Sequence, residues 1–191
     1  PDGPLHLYGF SFGGIVSGGV AARLGTRITS LVIGASGALG LTAPALPAAA
    51  PLDTTTREAL ERAYRHNLAT FMLDEGIVDD LAVAIEHESV RRSRIKYTHI
   101  MRSTVLRDSI VRCECPVNAL WGERDIFTPN LHEYRTFFES LPSGGQFVVL
   151  KDAPHWAMHA APERYAQALL ALVGAPRAVG NQDAAAKFTR H

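Results

Sequence analysis

Near its amino end the chain reads Gly9-Phe10-Ser11-Phe12-Gly13, which sets a serine between glycines two positions before and two after it. A serine held on a strained turn needs such neighbours, because backbone atoms crowd together there and leave little room for a side chain at either position. Gly14 extends the patch of small residues. A serine hydroxyl is a poor nucleophile near neutral pH, so it requires a histidine to take its proton and a carboxylate to orient that histidine. Two downstream stretches offer them. Asp125 ends Trp121-Gly122-Glu123-Arg124-Asp125, with Glu123 as its rival, and His155 lies in Asp152-Ala153-Pro154-His155-Trp156, with His159 as the nearest competitor. His66, His87 and His99 fall in a helical stretch and read as exposed or half-buried helix residues.

These side chains must be placed by elements around them. Leu5-His6-Leu7-Tyr8 reads as a short strand ending at Gly9, and Gly13 to Arg23 as a helix with Ile15, Val16 and Val20 apolar. Ser30 to Gly34 is a second apolar strand, so strand, helix and strand form a right-handed parallel unit. Three prolines between Thr42 and Leu52 forbid a continuous helix and predict a stiff linker. Three helices are then expected, over Thr54 to Leu73 with Asp53 or Thr54 as the cap, Asp79 to Arg94, and Lys96 to Asp108. Strand character returns at Pro116 to Trp121 and Gln146 to Leu150, with helices at Leu131 to Ser140 and Pro162 to Val173. The expected units are 1–40 as core, 41–112 as a helical insertion, 113–174 as core again, and 175–191 as a frayed tail. Asp125 and His155 both lie just past strand ends, where parallel α/β sheets place their functional loops.

Composition bounds what else the chain could be. Its 191 residues carry 19 basic and 19 acidic side chains, with 47% hydrophobic and 20% charged, which fits a soluble globular domain and argues against disorder, collagen and coiled coil. The neutral balance lacks the basic excess that phosphate backbones demand, so nucleic acid is not an expected partner. Charges and prolines interrupt every apolar run before it reaches membrane-spanning length. Nothing at the amino end reads as a signal peptide, and a cytoplasmic location is the expectation. Cys113 and Cys115 have no second pair to complete a zinc site, so neither metal nor cofactor is expected. If their segment is extended the two thiols share a face, a geometry that does not suit a disulfide.

Taken together, Leu-His-Leu-Tyr-Gly-Phe-Ser-Phe-Gly-Gly, then Leu-Trp-Gly-Glu-Arg-Asp, then Ala-Pro-His-Trp resemble the α/β-hydrolase family in content and in order, over residues 5 to 173. The resemblance implies a parallel sheet with Ser11 as nucleophile, His155 as general base and acid, and Asp125 as its orienting partner. It makes the helical insertion a cap over the site. The backbone N–H of Phe12, just after the nucleophile, becomes one oxyanion-hole donor. Family members carry further strands and the second donor upstream of the nucleophile, so the chain is expected to be a carboxy-terminal portion with little hydrolase activity alone. Pro154 stands where glycine is common, and Phe10 where many relatives carry histidine.

The resemblance implies hydrolysis of an ester, thioester or related acyl compound through an acyl-serine intermediate. Acyl transfer and carbon–carbon hydrolysis would use the same three residues, and a hydrolase-like domain that binds without turnover is the reading from another class. A serine at position 11 argues against the carboxylate-nucleophile branches of the family. The substrate is expected to be a small or medium acyl compound in an apolar lining, with Phe10, Phe71, Met72 and Trp156 as its contacts and Ile77, Val78 and Leu81 on the same inner face. Oligomeric state is left open.

Overall fold

The computed structural model describes residues 3–95 and 98–174. Its centre is a parallel sheet of β1 (Leu5–Phe10), β2 (Ile28–Gly34), β3 (Val117–Gly122) and β4 (Phe147–Leu150), ordered β1-β2-β3-β4. In β2 and β3 the side chains alternate between two buried faces. Leu31, Ile33, Val117, Ala119 and Trp121 join one core with α1 (Phe12–Leu24), α5 (Val105–Ile110) and α6 (Leu131–Glu139). Val32 and Leu120 point to the opposite face, where they meet Tyr165 and Leu172 of α8 (Pro162–Val173). The result is a sheet with helices on both faces. The strand β1 pairs with β2 alone among the described residues, and its His6 and Tyr8 are exposed.

Glycines set the closest helix contacts. A Cβ at Gly18 would fall 2.5 Å from Leu106 Cδ1, so the glycine face of α1 is what lets α5 lie against it. Trp121, fully buried, stacks on Phe147, and its indole N–H donates to Thr128 Oγ1 at 2.9 Å. Among the described residues, no helix is long and apolar enough to cross a membrane.

The insertion differs from expectation in three ways. Its first helix, α2 (Arg57–Phe71), is capped by Thr56, whose hydroxyl accepts the Ala59 N–H at 3.0 Å; Asp53 instead accepts from the backbone and hydroxyl of Thr55. The turn closed by Asp53 delays the helix start. The stretch expected as one helix over Lys96 to Asp108, whose residues 96 and 97 lie outside the described ones, contains among the described residues two short helices, α4 (Thr98–Met101) and α5, broken at Arg102 to Thr104. There the Ser103 hydroxyl bonds back to the Ile100 carbonyl, and Thr104 bonds Asp108. Third, α5 packs in the sheet core, with Leu106 and Ile110 fully buried beside Ile15, so it groups with the core although the expected insertion ran to residue 112.

The prolines of the linker leave residues 41–54 without helix or strand. Asn67 of α2 pins that segment by bonding both backbone groups of Ala50. The helix α3 (Asp80–Arg92) follows, capped by Asp79, whose carboxylate accepts the Ala82 N–H at 2.8 Å. The segment holding Cys113 and Cys115 is not extended; both cysteines are buried, and the hydrogen bond with Cys115, followed by burial, pushes the Cys113 thiol up. The expected tail, 175–191, lies outside the described residues.

Candidate active site

All four strands run the same way, so the segments that follow them lie along one edge of the sheet. Ser11 follows β1, Ser36 lies just after β2, Asp125 after β3 and His155 after β4.

Ser11 is the N-cap of α1 and holds φ 51°, ψ −121°, a conformation that costs a residue with a Cβ about 1–3 kcal/mol. Three hydrogen bonds hold it there. Its N–H donates to Gly34 O at 2.8 Å, and its carbonyl accepts from the Gly14 N–H at 3.0 Å and from the Ser36 hydroxyl at 2.7 Å. A Cβ at Gly9 would lie 2.3 Å from the Gly13 carbonyl oxygen, so Gly9 is required by space. Gly13 is not, because a Cβ there would meet nothing within 4 Å; the crowded glycine after the serine is Gly14, whose Cβ would lie 2.8 Å from the Ser36 side chain. The sequence motif therefore points one residue short of the real constraint on the helix side. Other left-handed residues sit in the neighbouring loops, Ala35 after β2 and Asp152 before the histidine.

Asp125 and His155 meet directly. Their Nδ1···Oδ2 distance is 2.9 Å, with His155 only 3% and Asp125 5% exposed. The second carboxylate oxygen accepts the Phe127 N–H at 2.9 Å, which fixes the orientation of the acid. Its rival Glu123 is exposed and accepts the Asp152 N–H instead, bracing the histidine loop from outside. Gly122 makes this approach possible: a Cβ there would lie 2.3 Å from Pro154 O and 2.4 Å from Ala153 O. Sequence reading missed Gly122, although its place at a strand end before the acid was a signal for close backbone approach.

The His155 ring contacts two aromatic rings, with centroids 4.9 Å from Phe10 and 4.6 Å from Phe127. Phe10 directly precedes Ser11, so its ring ties the serine turn to the histidine. Phe71, at the end of α2, stacks on Phe127 at 6.3 Å. Phe10 is thus brought to the histidine, and Phe71 reaches it through Phe127, a residue the sequence does not single out. Met72 and Trp156, expected beside substrate, pack with Leu68, Leu73 and Ala82, and the Trp156 backbone N–H donates to Met72 O at 2.8 Å. They fasten α2 to the histidine loop. Leu81, expected on an inner face, is 60% exposed. His159 pairs with Asp79 at 3.2 Å across the same junction, and Arg124 pairs with Asp74.

A cavity of about 460 Å³ borders Phe12, the first residue of α1, and is lined also by Arg92, Ser93, Arg94 and Ile95. Its lining is predominantly apolar. A larger cavity of about 670 Å³, lined by residues including Arg62, Arg65 and His66 of α2, includes none of Ser11, Asp125 or His155.

The family described as the alpha/beta hydrolase family matches residues 1–168. No curated protein matches the sequence. Among solved structures, VinJ is similar at 20% identity and a TM-score of 0.64, covering 90% of this chain and 66% of its own. CarC, a serine hydrolase involved in carbazole degradation, is similar at 19% identity and a TM-score of 0.63, covering 91% and 64%. The 2-hydroxy-6-oxo-6-phenylhexa-2,4-dienoate hydrolase of Rhodococcus sp. strain RHA1 is similar at 16% identity and a TM-score of 0.57, covering 90% and 64%. The chain spans less than two thirds of the length of these three structures.

Proposed function

Because this chain belongs to the α/β-hydrolase family, we propose that it carries the reacting residues of a serine hydrolase acting on a small or medium, mostly apolar ester or thioester. The observation that supports this most is the buried Asp125–His155 hydrogen bond, with the ring of Phe10, the residue before the strained Ser11 turn, 4.9 Å from the His155 ring. Asp125 bonds Nδ1 of His155 and so leaves Nε2 as the nitrogen that works as a base. In this reading His155 takes the proton from Ser11 Oγ as that oxygen bonds to the substrate carbonyl carbon. The carbon–oxygen or carbon–sulfur bond to the leaving group then breaks, and His155 returns the proton to the departing alcohol or thiol. Water, deprotonated by the same nitrogen, displaces the acyl group from Ser11 and restores the hydroxyl.

Negative charge that develops on the carbonyl oxygen is met by the backbone N–H of Phe12. Its support is position: it opens α1, where the helix dipole favours an anion. The helices α2 and α3 are read as the cap. Phe71, reaching Phe127 beside His155, brings the cap to the reacting edge, and Phe10, Phe71 and Phe127 give that part of the site an apolar surface.

The test is labelling of the chain with a fluorophosphonate, whose phosphorus bonds to the serine oxygen as fluoride leaves. One label per chain at Ser11 is expected, with none on Ser11→Ala and a rate about 10⁴-fold lower on Asp125→Asn, where the histidine tautomer is wrong. A folded chain that takes no label at Ser11 overturns the proposal.

A further inference from the structure

Ser36 has no part in the proton transfers above, yet its side chain is aimed at the residue that does the chemistry. It is 3% exposed and donates its hydroxyl to the Ser11 carbonyl at 2.7 Å. The turn that places it is unusual in its own right. Ala35, just before it, has φ 44° without being glycine, and its N–H is held by Leu120 O at 3.2 Å, so β3 fixes the backbone that aims Ser36. The Ser36 Cβ fills the hollow above Gly14, which explains why that glycine, and not Gly13, is the crowded one.

The carbonyl of Ser11 and the N–H of Phe12 belong to one peptide unit. That unit is planar and trans, so its C=O and N–H point in opposite directions, and a group that holds one end aims the other. We infer that Ser36 is a positioning residue for the oxyanion donor: its hydroxyl grips the Ser11 carbonyl and thereby sets the direction of the Phe12 N–H, an inference that rests on the proposal for Ser11 and Phe12. A hydrogen bond accepted at the carbonyl also polarises the peptide and makes its N–H a stronger donor. The Gly14 N–H holds the same carbonyl at 3.0 Å, but it is a bond from within the first turn of α1 and moves with that turn. Ser36 ties the peptide instead to the loop after β2, hence to the sheet.

The substitution Ser36→Ala isolates this role, because it keeps the Cβ over Gly14 and deletes only the hydroxyl. Ser30→Ala serves as control: Ser30 is also buried, and its hydroxyl donates to Val173 O at 3.2 Å, on the face covered by α8. Fluorophosphonate labelling should show the maximal inactivation rate of Ser36→Ala lowered about tenfold, the effect of losing one hydrogen bond, with the half-saturating probe concentration unchanged. The Phe12 amide resonance should shift in Ser36→Ala and stay in place in Ser30→Ala, whose labelling rate should equal the parent's. An inactivation rate within twofold of the parent, or an unmoved Phe12 amide, overturns the role of Ser36. A parent chain that takes no label at Ser11 is a different result, which removes the nucleophile reading and this inference with it.

Discussion

The sheet and the inserted helices α2 and α3 use similar residue types to different effect. In β2 and β3 the residues Leu31, Val32, Ile33, Val117, Ala119 and Trp121 are sealed from solvent, each held between the sheet and a helix on its own side. In the insertion, Leu68, Leu73 and Ala82 form the buried centre, while Leu81, Ile85 and Val90 of α3 face outward. The insertion meets the loops of the reacting edge through Trp156 N–H to Met72 O, Arg124 to Asp74, His159 to Asp79, and Phe71 on Phe127. A strained turn such as Ser11 persists where the surroundings over-determine it, and the sheet provides that. An element with a small core and exposed polar attachments opens at lower free energy. Parts that must stay aligned and parts that can move aside are thus separated in the chain.

The contrast can be broken most severely at Trp121. Trp121→Ala should cost about 3–5 kcal/mol, because it removes an indole that fills the core between β3, β4 and α6. Thermal unfolding should show a Tm lower by about 10 °C or more, with the whole chain melting in one step. A Tm change of a degree or two would mean that the sheet core is no tighter than the insertion.

Leu68→Ala tests the other region. The side chain is as fully buried as Trp121, and its loss should cost about 2–5 kcal/mol to the element that contains it. Hydrogen exchange should quicken in α2 and α3 while β2 and β3 keep their protection. Equal loss of protection in the sheet would show that the two regions unfold as one.

The smallest effect is expected at the polar attachments. The Ala82 N–H beside Asp79, and then the His159 ring, hold the Asp79 carboxyl below the usual carboxylate range. A carboxyl depressed in the folded state stabilises above its unfolded pKa of about 3.9 and loses that contribution as pH falls through the lower folded value. The part of α3 protection that Asp79→Ala removes should therefore persist from neutrality to about pH 4 and fade at lower pH. Asp79→Ala should show quickened exchange at pH 7 already. Identical protection of parent and variant at neutral pH would mean that the cap and ion pair contribute nothing to holding α3.

The four strands and the long helices α1, α2, α3, α6 and α8 were legible because their apolar residues recur with the period of the element that forms. Boundaries moved by one to three residues where side-chain caps intervened, as at Thr56 for α2. The split of the third expected helix has a local cause. Around Arg102 to Thr104 an apolar period continues through residues whose hydroxyls bond the backbone and break the helix, so periodicity reads one helix where there are two. Met72 and Trp156 pack against Leu68, Leu73 and Ala82, neighbours that side-chain type and place in the sequence do not encode.

For the candidate site, the amino-acid sequence by itself determined the set of reactive groups and their place at strand ends: Ser11 between Gly9 and Gly13, an acid after β3, a histidine after β4. Local patterns suffice for that, since a strand, a tight turn and a helix are specified within a few residues. It left Asp125 against Glu123 and His155 against His159 to be weighed. Tertiary structure decided which of them meet, through contacts between residues far apart in the chain. Gly122 admits the backbone of the histidine loop, so Asp125 reaches His155 while Glu123 braces Asp152. Ser36, 25 residues from Ser11, carried no local signal at all, because its meaning lies in a hydrogen bond that exists only once β1 and β2 pair side by side.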